Sequence, residues 1–286
     1  MSSATRRFWQ LIEPYHAVTY FEPECAQAFE AVGLRGFWRG YFAGRAAPFG
    51  PTGPGLVTAS FFGFDPAFVA RALPLVWTVA APDVAIRARI DGADAALRRL
   101  LAGETSSPGL AEAADLARHA IDGVRAEGRP LFAANAELEW PSDAPHLTLW
   151  HAATLVREHR GDGHVAALTT AGLHPVEAHL SQVAASGAGL DTIQPYRGWG
   201  DDDWALGAEL LRARGWIDGE GRLTERGRAG RDDIESTTDR LAEAPLERLG
   251  PARTERLLEL LAPIADVLVR TGTIRYPNPI GVAQPE

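Results

Sequence analysis

WALGAELLRARGWIDGEGRLTERGRAG, residues 204–230, is the stretch on which the reading of this chain turns. A helix from Asp201 to Arg214 leads into Trp216-Ile217. The turn Asp218-Gly219-Glu220-Gly221 reverses the chain, and Arg222-Leu223-Thr224 returns. A long helix from about Glu225 to Ala242 follows. Helix, tight hairpin, helix predicts a short β-hairpin wing carried on a helical scaffold.

Reading outward, helices are expected over Phe8–Val18, from Pro23 to Ala31 with Gly33 ending it, and from Asp65-Pro66 to near Trp77. Thr78–Ala80 and Val84–Ala88 read as extended pieces of a second small hairpin, and a helix opens at Asp91. Another helix covers 110–126. In the second half, residues 147–161 form a helix and Asp162 caps the next one. A third starts at Pro175, and the last runs from Pro251 to Thr271. Shifting the chain by 139 residues lays Gly33-Leu34 on Gly172-Leu173 and Trp77 on Trp216. The expected fold is therefore mainly α with short β-hairpin wings, as two tandem winged-helix-like halves forming an intrachain pseudo-dimer. The divisions are 1–127, a connector at 128–146, and 147–286.

Composition narrows the function. A hydrophobic share of 46% and 286 residues support a substantial core. No run approaches the ~18 apolar residues of a membrane helix, and the start lacks a signal-peptide pattern. The single cysteine, Cys25, cannot form an intrachain disulfide, so a cytoplasmic location is expected. All 28 basic residues are arginine, and the net charge is −9. An acidic chain is a poor partner for phosphate backbones unless it carries a local basic patch.

The 204–230 segment resembles the recognition helix and wing of MarR-type winged-helix regulators, through Leu210, Arg214, Gly215, Ile217, Leu223, Thr224 and Gly227. Over nearly the whole chain the sequence is similar to an actinobacterial family described only as helix-turn-helix. The resembling blocks are EPYHAVTYFEPE (13–24), GLRGFWRGYFAGRAAPFGP (33–51), GRPLFAAN (128–135), LWHAATLVREHRGDGHVAAL (149–168), RGW (197–199), TDRLA (238–242) and NPIG (278–281). That resemblance implies a fold and supplies no chemistry.

DNA reading is the alternative such a scaffold implies. A recognition helix meets base edges with its first turns, and here those turns hold Asp201, Asp202 and Asp203. Arg222, Arg226 and Arg228 in the wing are the candidate phosphate contacts, set among Glu220, Glu225, Asp232 and Asp233.

Two clusters favour a small molecule instead. REHRGDGH, 157–164, offers Arg157, His159 and His164, and the 139-residue shift sets it against the segment holding His16, Tyr20 and Glu24. Trp38, Arg39, Phe42 and Arg45 follow at helical spacing, and guanidinium beside aromatic rings suits a carboxylate or phosphate on an apolar body. RGW (197–199) and YPNP (276–279) are turn-like segments that could cover such a cavity. The spacing of His159 and His164 matches no recognised zinc pattern, so no metal site is assigned. The cofactor is left open: a haem on His16, His159 or His164 is conceivable, without an attachment motif. No catalytic template is found, and no catalytic residue is assigned. The leading expectation is a small-molecule-binding protein, in the manner of a ligand-responsive regulator, holding an aromatic or amphipathic ligand between its halves. A sequence-specific DNA-binding regulator is the alternative, and a haem or metal protein or an enzyme comes third.

Overall fold

The computed structural model describes residues 4–272 together with Ile274, Tyr276, Asn278 and Ile280. Fourteen α-helices occur among them: α1 Ala4–Phe21, α2 Pro23–Ala31, α3 Phe37–Ala46, α4 Pro54–Phe61, α5 Pro66–Ala70, α6 Pro82–Leu100 and α7 Pro108–Ile121, then α8 Pro130–Ala136, α9 Pro145–Thr170, α10 Pro175–Ser186, α11 Asp201–Ala213, α12 Glu225–Leu241, α13 Ala244–Leu249 and α14 Pro251–Arg270. Nine of the fourteen start on proline, whose missing N–H and fixed φ suit a first helical position.

The described residues contain no β-strand, which overturns the expected hairpin wings and with them the tandem winged-helix pseudo-dimer. At 216–224 the chain does reverse, but Ile217 and Leu223 form only one isolated antiparallel bridge. The turn satisfies itself locally. Asp218 accepts hydrogen bonds from the Glu220 and Arg222 N–H groups at 3.0 and 2.9 Å. Thr224 then caps α12 by accepting the Gly227 N–H at 3.0 Å. The helix begins as soon as the chain has returned, so no ladder has room to form. In the first half Val84–Ala88 lie inside α6, because Pro82 with Asp83 is a helix start that the extended reading passed over. The 139-residue offset does set α3 beside α10 and α6 beside α12 in order. It also sets the Glu22-Pro23 break between α1 and α2 against the uninterrupted interior of α9.

That interior is a second correction. Residues 145–170 form a single 26-residue helix, ~39 Å long, that runs straight through Gly161 and Asp162. Thr148 to Val156 are buried without a break, so α9 has no single apolar face and is packed from all sides. Its N-terminal part joins α1, α6, α7, α13 and α14 in the largest core, around Phe8, Ile12, Leu97, Ile121, Leu149, Trp150 and Leu257. An aromatic core of Phe29, Phe42, Phe61, Phe64 and Val69 joins α2 through α6. Ala167 and Leu168 at the end of α9 meet α10, α11 and α12 with Leu173, Leu211, Ile217 and Leu223. The close approach of α3 to α2 needs glycine: a Cβ on Gly44 would lie 2.5 Å from the Phe29 ring. No single described helix is long and apolar enough to cross a membrane.

Candidate ligand cavity

A turn and a loop from distant parts of the chain are stitched together beside α9. Phe62 has a φ of 58°, a sparsely populated conformation for a bulky residue, and it turns the chain after α4 so that the Gly63 carbonyl faces α10. That carbonyl accepts hydrogen bonds from His179 Nε2 at 2.9 Å and Trp199 Nε1 at 3.1 Å. The Asp65 N–H donates to the Arg197 carbonyl at 2.9 Å. A Cβ on Gly63 would sit 2.8 Å from the His179 ring, so glycine is required for this join.

Between this seam, α1, α9 and α12 lies a cavity of about 250 Å³. It exceeds the ~150 Å³ of an apolar cavity that accepts benzene. One face of α9 forms its long wall: Arg157, Arg160, Gly161, His164, Val165 and Leu168 repeat at three- and four-residue intervals. The polar end of that wall is at Arg157, and the apolar end is at Leu168 with Ala178.

Five arginines (45, 157, 160, 197 and 231) and three glutamates (13, 158 and 235) line the cavity, an excess of two positive charges by residue type. They form two knots. In the first, Arg45 grips Glu158 at two points, 3.3 and 3.1 Å, and Arg157 reaches the same carboxylate at 2.8 Å and Glu13 at 3.5 Å. Burial alone would raise the Glu158 pKa, but Arg157 and Arg45 overcome it and pull the value down to about 2. For Glu13 burial prevails over Arg157, and its pKa is raised. In the second knot Glu235 receives Arg231 at 2.7 Å, Arg6 at 3.1 Å and Arg160 at 3.5 Å, while Asp239 takes Arg6 at 2.9 Å and Arg160 at 3.0 Å.

Aromatic rings back these cations. Arg45 lies 4.0 Å from the Phe61 centroid, Arg160 4.5 Å from Trp9, and Arg197 4.9 Å from Phe64. A guanidinium stacked on a ring keeps its edge donors for another partner. Burial pulls Arg197 down to about 10. Ser60 Oγ, Arg160 Nε and Arg231 Nε, all in buried residues, have no hydrogen-bond partner among the described residues. Buried polar atoms are seldom left this way.

The candidates named from the sequence disperse. Arg45, Arg157 and His164 line the large cavity, and His16 and Tyr20 line a smaller one that shares Arg45. His164 Nδ1 donates to Thr238 Oγ1 at 2.9 Å, because the Thr238 hydroxyl is itself spent on the Ile234 carbonyl. Burial lowers His164 to about 4 and His159 to about 3, so both are neutral near pH 7. His159 packs edge-on against Phe132. Glu24 is ion-paired with Arg99 at 2.5 Å. Phe42 is fully buried, Trp38 packs on Phe68, and Arg39 is exposed. Among the described residues no group of three His, Cys, Asp or Glu side chains could hold a metal ion. Asp162 does not cap a helix of its own segment. It accepts the Phe132 N–H at 2.9 Å at the start of α8.

Arg160, Arg197, Arg231, Glu235 and His179 had not been singled out for this cavity. Arg160 stood inside the REHRGDGH cluster and Arg197 opened the RGW segment. Ile280 also lines the cavity, whereas Pro277 and Pro279 of the YPNP segment lie outside the described residues. The α11 surface shows Asp201, Asp202, Asp203, Leu206 and Leu210 to solvent. Arg222 is paired with Asp218 at 3.0 Å and Glu220 at 2.9 Å. Arg226 and Arg228 are exposed, and Arg228 donates to the Leu223 carbonyl.

This all-helical chain belongs to a helix-turn-helix family, whose model matches residues 5–275. No curated protein and no solved structure matches it significantly.

Proposed function

We propose that this helix-turn-helix family member is a ligand-responsive regulator whose effector occupies the cavity beside α9. The effector is an anion with an aromatic or amphipathic body. The observation that carries this reading is the excess of buried, ring-backed arginine around an interior space. Cations taken out of water are costly unless paired, and an anionic guest would supply the missing acceptors for Arg160, Arg231 and Ser60. The polar-to-apolar gradient from Arg157 to Leu168 supports a guest with an acidic head and an apolar remainder.

Native mass spectrometry of protein purified from its own host tests this. A retained small anion that Arg160→Met or Arg231→Met loses is the expected result. Clean apo-protein that binds no carboxylate or phosphate from a screened panel would sink the reading.

Family membership favours a second role, operator binding. The exposed Arg226 and Arg228 are its candidate phosphate contacts, and the three aspartates opening α11 oppose it. Selection on fragments of host DNA should recover a site whose affinity falls steeply with salt. Recovery no better than with random fragments would dismiss it.

A further inference from the structure

Behind Tyr41 and Arg45 lies a second cavity, about 110 Å³ in volume, enclosed by α1, α2, α3 and α6. Its walls are mostly apolar, with Tyr20, Phe29, Leu34, Phe37 and Tyr41 around the space, and its rim at Ala26 and Gly36 is exposed. Three charged residues line it: Glu30 at the exposed rim, Arg45, which is already paired with Glu158, and Arg89. Arg89 is 3% exposed; its Nη1 donates to the Gly44 carbonyl at 3.1 Å and its Nη2 to Asn135 Oδ1 at 3.2 Å. Its Nε has no acceptor among the described residues, and the guanidinium lies 5.4 Å from the Trp150 ring centroid.

Arg45, Arg160 and Arg231 are buried to a similar degree, and each holds a carboxylate. Arg89 makes no ion pair with any described residue. An isolated buried guanidinium is among the costliest groups a fold can carry. A cation kept in that state beside an apolar space is a counter-ion site waiting for its anion.

His16 fixes how much charge the site can take. The Thr154 hydroxyl donates to the Trp150 carbonyl, so His16 Nδ1 donates to Thr154 Oγ1 at 2.9 Å. His16 Nε2 then accepts the Tyr20 hydroxyl proton at 2.9 Å. Burial holds the imidazole well below its ordinary pKa, and it adds no cation to the two arginines.

We propose that the smaller cavity binds a compact aromatic monocarboxylate, its carboxylate paired with Arg89 and its ring among Tyr20, Phe29 and Leu34. This site shares Tyr41 and Arg45 with the larger cavity, but its anion is held by Arg89 and it does not depend on the effector assigned there.

Benzoate is the probe. Calorimetric titration of the full chain should show binding that Arg89→Met weakens by about tenfold or more. Arg231→Met, in the larger cavity, should leave benzoate affinity within about twofold. Should Arg89→Met fail to fold, Arg89→Lys keeps the charge, removes the fork and should still bind more weakly than wild type. A crystal of the benzoate complex should place the carboxylate within hydrogen-bond distance of Arg89. Equal affinity in wild type and the folded Arg89 variant overturns the proposal. So does loss in Arg231→Met instead, density only in the larger cavity, or no binding to wild type.

Discussion

Arg45 and Glu158 meet as a two-point pair, Nε to Oε1 at 3.3 Å and Nη2 to Oε2 at 3.1 Å, with both side chains buried and 113 positions apart in the chain. Removing one partner leaves the other charge stranded. Glu158→Gln should therefore cost ~3–5 kcal/mol in urea unfolding at pH 7. The acid's ordinary pKa of 4.5 falls to about 2 in the fold. A depressed acid contributes fully above its unfolded value and loses that contribution as pH falls through its folded one. Wild type should lose stability on this account between about pH 4.5 and 2, and the Gln variant should lack that slope. Parallel slopes would remove Glu158 from the account.

Asp162 titrates in the opposite sense. Burial raises its pKa from 3.8 to about 7, against the pull of the Phe132 N–H. An acid raised in the fold stabilises most below its unfolded value, and that stabilisation is lost as pH climbs through the folded value. Asp162→Asn keeps an oxygen for the Phe132 N–H. It should melt near wild type at pH 4 and above it at pH 8, with the difference growing between those limits.

Two glycines of α9 stand two positions apart and should respond with opposite signs. A Cβ on Gly161 meets only Glu158 Oε2 at 3.8 Å, so Gly161→Ala should gain ~0.5–1 kcal/mol from helix propensity. A Cβ on Gly163 meets Arg129 Nη1 at 3.0 Å and Leu241 Cβ at 3.2 Å. Arg129 there donates to the His159 and Leu241 carbonyls, so Gly163→Ala should lose ~1–3 kcal/mol by overpacking. Chemical denaturation of the pair checks both.

Gly227 is the tightest point of the returning turn. A Cβ there would lie 2.0 Å from the Trp216 carbonyl oxygen, and backbone cannot step aside as a flexible side chain would. Gly227→Ala should cost ~3 kcal/mol. Tryptophan fluorescence should report the displaced Trp216, and an unchanged melting temperature would contradict the packing.

Some helix starts were legible where proline followed a capping residue, as at Asp65-Pro66, because the signal is local. The hairpins misled for the same reason. Trp216 to Thr224 has hairpin composition, yet whether a reversal grows into strands depends on how soon the next helix is capped, and Thr224 caps it at once. Gly161 and Gly163 looked like a helix break because glycine lowers propensity. What overrides that is the packing of Arg129 and Leu241, from 34 residues before and 78 after Gly163 in the chain. Arg45 and Arg157 were visible as arginines beside aromatics or histidines. Arg231, Glu235 and His179 were not, because only the folding of α10 and α12 onto α9 brings them to the cavity.

The packing of α14 has a consequence for how the molecule is made. Leu257, Leu258, Leu261 and Leu268 complete the same core as Phe8, Leu11 and Ile12 of α1. Helix α1 therefore lacks this neighbour until α14, about 230 residues further along the chain, has been synthesised. Its apolar face stays uncovered for that interval, when contacts so distant along the chain have yet to form. Early translation products should lean on chaperones, and a chain cut before Pro251 should be prone to aggregate.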